Sequence, residues 1–165
     1  MNLITRAVYP GTFDPITNGH MDIIRRAKSV FEEVTVAVAI SQEKRPMFDI
    51  EARVAMVKAA TRGMKGVHVM PFDTLLVEFA KEIGSRMIIR GLRAVSDFEY
   101  ELQIGYANAS LWKEVETMYL MPSLHNAFIS SSIVRSILKH KGDVSHLVPP
   151  ENAAFLKDGV YVCDL

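Results

Sequence analysis

A doubly wound α/β fold on a five-stranded parallel sheet is the class this sequence predicts, and three observations predict it. Short apolar runs rich in β-branched residues alternate with longer stretches of helical periodicity, the pattern of repeated βαβ units. The run VTVAVAI at 34–40 is nearly all apolar, as a strand covered on both faces must be. Each polar or glycine-bearing motif comes just after a predicted strand: 12–20, Lys44, 90–93 and 126–132. In a parallel sheet with right-handed crossovers those strand ends share one edge, where ligands bind.

The elements follow in order. Residues 3–9 form the first strand, stopped by the turn signal Pro10-Gly11. Asn18-Gly19-His20 opens a helix to about residue 32, its inner stripe being Ile23, Ile24, Ala27, Val30 and Phe31. Strand 34–40 leads into a polar loop, 41–48, carrying Lys44 and Arg45. Asp49 caps the second helix, whose inner face is Ile50, Val54 and Val57. Strand 67–72 precedes a helix marked by Leu75, Leu76, Phe79, Ala80 and Ile83 and ended by Gly84. Strand 86–90 runs into Gly91-Leu92-Arg93, then a helix spans about 96–113. Strand 116–121 follows, and Ser130-Ser131-Ser132 opens a last helix with Ile133, Val134, Ile137 and Leu138 facing inward. No repeat or linker divides the chain, so 1–165 reads as one domain with a less regular tail from about 149.

Bulk properties narrow the classes. The 165 residues are 49% hydrophobic, enough for a sizeable core, and 19 basic residues balance 19 acidic ones. That balance argues against a broad nucleic-acid footprint. The lone cysteine, Cys163, has no partner for an internal disulfide, which suits a reducing compartment. Neither a secretory leader nor an apolar run of the ~18 residues needed to span a bilayer is evident. A cytoplasmic protein without membrane partners is expected. There is no Gly-x-Gly-x-x-Gly after the first strand and no Gly-Lys-Ser/Thr phosphate loop, so nicotinamide cofactors and ordinary kinase chemistry lose ground.

What remains points to phosphate. A strand, a glycine turn and a helix N-terminus form an anion site from backbone N–H groups and the helix dipole. His20 adds a side-chain donor there, and Gly19 lets the backbone approach a phosphate without a Cβ in the way. Thr12 reads blandly as a turn residue. Lys44 and Arg45 read blandly as a solvated pair, although their place after a buried strand favours anion binding. Arg90 and Arg93 bracket Gly91 at a strand exit, where two guanidinium groups can face one phosphate; Arg86, at strand entry, is structural. Asp97 and Glu99 suit a solvated helix start rather than a metal cage. Three consecutive serines at 130–132 exceed the needs of an N-cap and offer hydroxyls and free N–H groups. His68, His125, His140 and His146 lack ligand spacing and read as surface or structural.

The segment Thr12-Phe13-Asp14 followed by Thr17-Asn18-Gly19-His20 resembles the signature of the nucleotidylyltransferase superfamily, whose hallmark is a His-any-Gly-His or Thr-any-Gly-His tetrapeptide. The longer string YPGTFDPITNGH at 9–20 resembles the bacterial branch that adenylylates 4′-phosphopantetheine in coenzyme A synthesis, and further matches run from about 7 to about 150. The resemblance implies transfer of AMP from ATP to that acceptor, with pyrophosphate released and Mg²⁺ arriving with ATP rather than in a protein cage. It implies catalytic roles for Thr12, His20, Lys44 and Arg93. ATP contacts are implied at Thr12, Phe13, His20, Gly91, Leu92, Arg93 and Glu101, and at Asn126, Ala127, Phe128, Ile129, Ser130, Ser131 and Ser132. Thr12, Lys44, Leu76 and Arg90 are implied on the acceptor side. A homo-oligomer, by resemblance a hexamer, is expected. Two alternatives stay open: a sister transferase using another phosphorylated acceptor, such as nicotinate mononucleotide, and a non-catalytic nucleotide-binding regulator.

Overall fold

The computed structural model describes residues 5–40, 45–93 and 95–157. Five strands, β1 (Arg6–Gly11), β2 (Glu33–Ala39), β3 (Val67–Phe72), β4 (Met87–Gly91) and β5 (Glu116–Leu120), form one parallel sheet in the order β3-β2-β1-β4-β5. Helices α1 (Asn18–Lys28), α2 (Ile50–Ala60), α3 (Leu76–Glu82), α4 (Val95–Leu111) and α5 (Ser131–Lys139) connect and follow them. The doubly wound five-stranded expectation holds.

Strand alternation explains why helices cover both faces. Ala7, Tyr9, Val34, Val36, Val38 and Ile89 pack with Ile23, Ile24 and Ala27 of α1, Met56 and Val57 of α2, and Val134 and Leu138 of α5. On the other face Val8 and Ala37 meet Phe79 and Ala80 of α3, and Ile88 meets Val77 and Val115. The chain winds outward from β1 to β3, then returns past β1 to β4. β1 and β4 are therefore neighbours whose following segments diverge, which opens a crevice at their carboxyl ends.

Four local expectations are corrected. The first strand runs through Pro10 and Gly11, which pair with Ala37 and Val38. β1 pairs with β4 only through Ala7 and Val8, so Pro10 lies where one flank is open and a missing donor is tolerated. Helix α1 ends at Lys28 rather than near 32, and Val30 is exposed. Ser29 Oγ donates to the Arg26 carbonyl at 2.7 Å, and the chain turns so that the Glu32 carbonyl lies where a Cβ on Gly66 would be. Gly66 has φ +71° there, a conformation that suits only glycine well. The buried stripe of α2 is Arg53, Met56 and Val57, with Ile50 and Val54 at its margin. In α5 only Val134 and Leu138 are fully buried, and Ile133 is exposed. Beyond residue 149 the chain forms a 3₁₀ turn, Pro150–Asn152, and a short helix α6 (Ala153–Lys157), with Leu156 joining the core.

Candidate active site

A cleft of about 710 Å³ opens along the carboxyl edge of the sheet. Its floor is Tyr9, Pro10 and Gly11 of β1 with Arg90 and Gly91 of β4. Gly19 and His20 of α1 and Ser130–Ser132 at the start of α5 form its walls.

The N-terminus of α1 is built around a reciprocal cap. Thr17 N–H donates to Nδ1 of His20 at 3.1 Å, and His20 N–H donates to Thr17 Oγ1 at 3.4 Å. This is a capping box with histidine in the position that glutamate or glutamine more often holds. Its chemical consequence is a fixed tautomer. Nδ1 accepts, so the ring proton of neutral His20 sits on Nε2, which has no partner among the described residues. Burial, reinforced by the nearby charge of Arg93, lowers the His20 pKa from 6.5 to about 4. Near neutral pH the residue is therefore an uncharged donor. Phe13 stacks edge-on against its ring at 5.0 Å between centroids, and Tyr9 packs edge-on against Phe13 at 5.5 Å. Burial pushes the Tyr9 phenol well above its usual range, so it stays protonated as well.

Free backbone donors are distributed unevenly between the two helix starts. In α1 the Asn18 N–H goes to the Leu147 carbonyl at 2.9 Å and the His20 N–H goes to Thr17. In α5, Ser130 caps through Ile133 N–H at 3.2 Å, while the Ser131 and Ser132 N–H groups find no acceptor among the described residues. Those two groups at the positive end of α5 are the better backbone anion site. The Ser131 hydroxyl is occupied, donating to the Pro15 carbonyl at 2.8 Å.

On the β4 side Arg90 and Glu101 form a two-pronged ion pair, Nε–Oε2 2.5 Å and Nη2–Oε1 2.7 Å. Burial alone would lower the Arg90 pKa, but the Glu101 hydrogen bonds and charge more than offset it. The guanidinium keeps three N–H donors beyond those two. Arg93 is more exposed and lies 3.5 Å from Asp97.

Gly19, besides lining the cleft, has a packing role that its sequence position does not suggest. A Cβ there would stand 3.1 Å from the Ile129 carbonyl and 3.4 Å from the Asn126 carbonyl. The glycine lets the start of α1 pack against the segment leading into α5. Asp22, one turn on, holds the same segment by accepting from Ser123 N–H at 2.5 Å. Burial pushes the Asp22 carboxyl up, but Ser123 and the Arg26 charge outweigh it and hold it below the usual range.

Two further residues order the cleft in ways the sequence did not assign: Asp14, named there only as part of the signature, and Arg53. Asp14 is buried; its Oδ1 and Oδ2 accept from Phe48 and Met47 N–H, each at 2.9 Å, and its carbonyl accepts from Arg135 at 2.7 Å. Arg53 is 2% exposed and donates to the carbonyls of Thr12, Ala39 and Phe48 at 2.7, 2.8 and 3.0 Å. The available signal was a cation on the inner stripe of α2, where a solvated side chain has no place.

Of the residues singled out in the sequence, Thr12, Phe13, His20, Leu76, Arg90, Gly91, Arg93, Glu101, Ile129, Ser130, Ser131 and Ser132 all line the one cleft. Leu92, Asn126, Ala127 and Phe128 lie outside its lining, Phe128 being 60% exposed. Lys44 falls outside the described residues, as does Cys163. Arg45, read as surface, is exposed but reaches the rim. Arg86 pairs with Glu114 on the surface.

Comparison with known proteins places this geometry. Residues 8–137 match the cytidylyltransferase-like family model. A phosphopantetheine adenylyltransferase of Campylobacter jejuni is 63% identical over 151 residues, 92% of this chain and 96% of the relative. The chain belongs to the phosphopantetheine adenylyltransferase family. Members of that family from Campylobacter curvus and Campylobacter hominis are 65% and 60% identical over 150 and 154 residues, again covering 96% and 97% of the relatives. Among solved structures, a bifunctional NMN adenylyltransferase/ADP ribose pyrophosphatase of Francisella tularensis, complexed with AMP and a manganese ion, superposes with a TM-score of 0.69. It is 13% identical, and the match covers 94% of this chain and about half (49%) of that protein, so the likeness speaks for the fold. The family match runs from Val8 within β1 to Ile137 within α5, the span that carries every cleft-lining residue named above.

Proposed function

We propose that this chain, acting as one nucleotidylyltransferase domain, transfers the adenylyl group of ATP to the phosphate of 4′-phosphopantetheine, giving dephospho-coenzyme A and pyrophosphate. A terminal oxygen of the acceptor phosphate forms the new bond to the α-phosphorus, and the bond from that phosphorus to the β-phosphate bridging oxygen breaks in line. The electron pair leaves with pyrophosphate. The acceptor dianion is already a nucleophile, so no general base is needed, and catalysis rests on positioning and charge stabilisation.

The observation that carries this reading is the tautomer of His20. With Nδ1 committed to Thr17 N–H, the cleft receives an N–H donor and no basic nitrogen. That suits stabilisation of charge on phosphoryl oxygens and does not suit proton abstraction. Ser131 and Ser132 N–H groups would take the triphosphate beside it, with Arg93. Arg90, Leu76, Thr12 and, from the sequence, Lys44 would hold the acceptor.

Mg²⁺ enters with ATP. Among the described residues the acidic ones lining the cleft are Asp14 and Glu101, whose oxygens already accept from Met47 and Phe48 and from Arg90. They offer the ion no cage, so its ligands come from the triphosphate and water. Among the described residues no cluster of three metal-binding side chains occurs. The same reading includes a cytoplasmic homo-oligomer, a hexamer by family resemblance. Met121, Leu124, Tyr106 and Phe128 expose 60–93% of their surface, an apolar load that a second copy would cover. Light scattering giving a monomer at micromolar concentration would remove the oligomer while leaving the activity. The activity itself is tested by pyrophosphate release with ATP and a panel of phosphorylated acceptors. Turnover with 4′-phosphopantetheine far above that with nicotinate mononucleotide supports the reading, and the reverse order overturns it.

A further inference from the structure

The geometry points to Arg53 as the positioning residue for the acceptor half of the cleft, holding Thr12 and both anchors of the β2–α2 connection on one guanidinium. Which substrate should suffer follows from the acceptor reading above.

Nothing in the catalytic scheme requires a buried cation on α2. Burying a guanidinium costs free energy unless its donors are satisfied, and here the partners are three backbone carbonyls from three separate places. Nη1 donates to Thr12, just past the end of β1, and to Ala39, the last residue of β2. Nε donates to Phe48, immediately before the helix cap Asp49. The two ends of the segment between β2 and α2 are thus tied to each other and to Thr12. Lys44 belongs to that segment in the sequence. Asp14 completes the grip from the opposite side. The 47–48 segment gives both its N–H groups to the Asp14 carboxylate and the Phe48 carbonyl to Arg53.

Three carbonyls in different directions need a planar fork with several fixed donors. Arginine has that shape, whereas the lysine ammonium places its donors on one atom. A merely structural arginine would serve both substrates alike. Of its three partners, Thr12 is shared by both substrates in the family resemblance, but Ala39 and Phe48 flank the stretch that carries Lys44 in sequence, and α5 takes no hydrogen bond from Arg53.

The test compares Arg53→Lys and Arg53→Met with wild type. Amide exchange at Met47 and Phe48 should speed up at least about tenfold in Arg53→Lys, while that at Ile88 and Ile89 stays unchanged. The KM for the acceptor should rise at least about tenfold, with ATP affinity by calorimetry within about threefold. Arg53→Met should show the larger acceptor defect, so that lysine is a partial rescue. Should Arg53→Met fail to fold, Arg53→Gln replaces it, keeping a shorter planar donor and predicting the same selective loss. Equal losses toward both substrates, or unchanged exchange at Met47 and Phe48 in a folded Arg53→Lys, would overturn the assignment. A wild type inactive with the acceptor would instead sink the acceptor reading, and the exchange arm would still judge Arg53.

Discussion

Replacing Glu101 by glutamine isolates the strongest ion pair of the cleft. Arg90 and Glu101 side chains are only 21% and 13% exposed and share two hydrogen bonds at 2.5 and 2.7 Å. At an effective dielectric of about 20, two unit charges centred about 4 Å apart attract by about 4 kcal/mol gross, before desolvation is subtracted. Glutamine retains one acceptor for Arg90, loses the other and removes the charge. Truncating one partner of a buried pair costs about 3–5 kcal/mol, and this partly open pair with a surviving hydrogen bond should cost about 2–3. For a chain of this size each kcal/mol moves the melting temperature by about 2–4 °C, so Glu101→Gln should melt about 4–12 °C lower. Urea unfolding of the single and double variants with Arg90→Met gives the coupling directly, expected at about 2 kcal/mol. A coupling below about 0.5 kcal/mol would place the pair among ordinary surface ion pairs and refute the reasoning.

Further expectations follow from His20 and Lys44. A histidine whose pKa falls from 6.5 in the unfolded chain to about 4 in the folded one stabilises the fold fully above pH 6.5. It loses that contribution as pH drops toward 4, by at most about 3 kcal/mol. Thermal unfolding across pH 4–8 should therefore show a shallower acid loss in His20→Gln than in wild type; parallel profiles would mean that His20 titrates normally. Lys44→Ala should weaken the acceptor's binding and turnover far more than ATP binding, with Lys44→Arg only a partial rescue because guanidinium differs in shape and reach. Calorimetry showing equal losses for both substrates would move Lys44 off the acceptor.

Legibility in the sequence tracked how local each signal was. The strands announced themselves because buried parallel strands are β-branched runs, as VTVAVAI is, and the helices because their inner stripes recur every three or four residues. His20 was visible because its strand, turn and helix start lie within a dozen residues. Arg53 was not, nor was the hold that Asp14 has on 47–48, since most of their partners are backbone groups 14 to 41 positions away, and backbone groups leave no mark on composition. Gly19 was noticed for its approach to a ligand, while its packing role was not visible. Its Cβ position faces the Ile129 and Asn126 carbonyls, more than a hundred residues on. Pro10-Gly11 read as a turn because the open flank of β1 there depends on where β4 stops pairing.

The claim that this cleft works by charge stabilisation through a neutral His20 donor is tested most directly by the single-turnover rate of His20→Ala, measured beside its ATP affinity and melting temperature. A donor used mainly in the transition state affects turnover more than ground-state binding, and losing one costs about 10²–10³ in rate. The account predicts a folded protein that binds ATP within about tenfold of wild type and turns over at least about 10²-fold more slowly. A stable variant whose single-turnover rate stays within about threefold of wild type would contradict it, leaving His20 as a helix cap and nothing more.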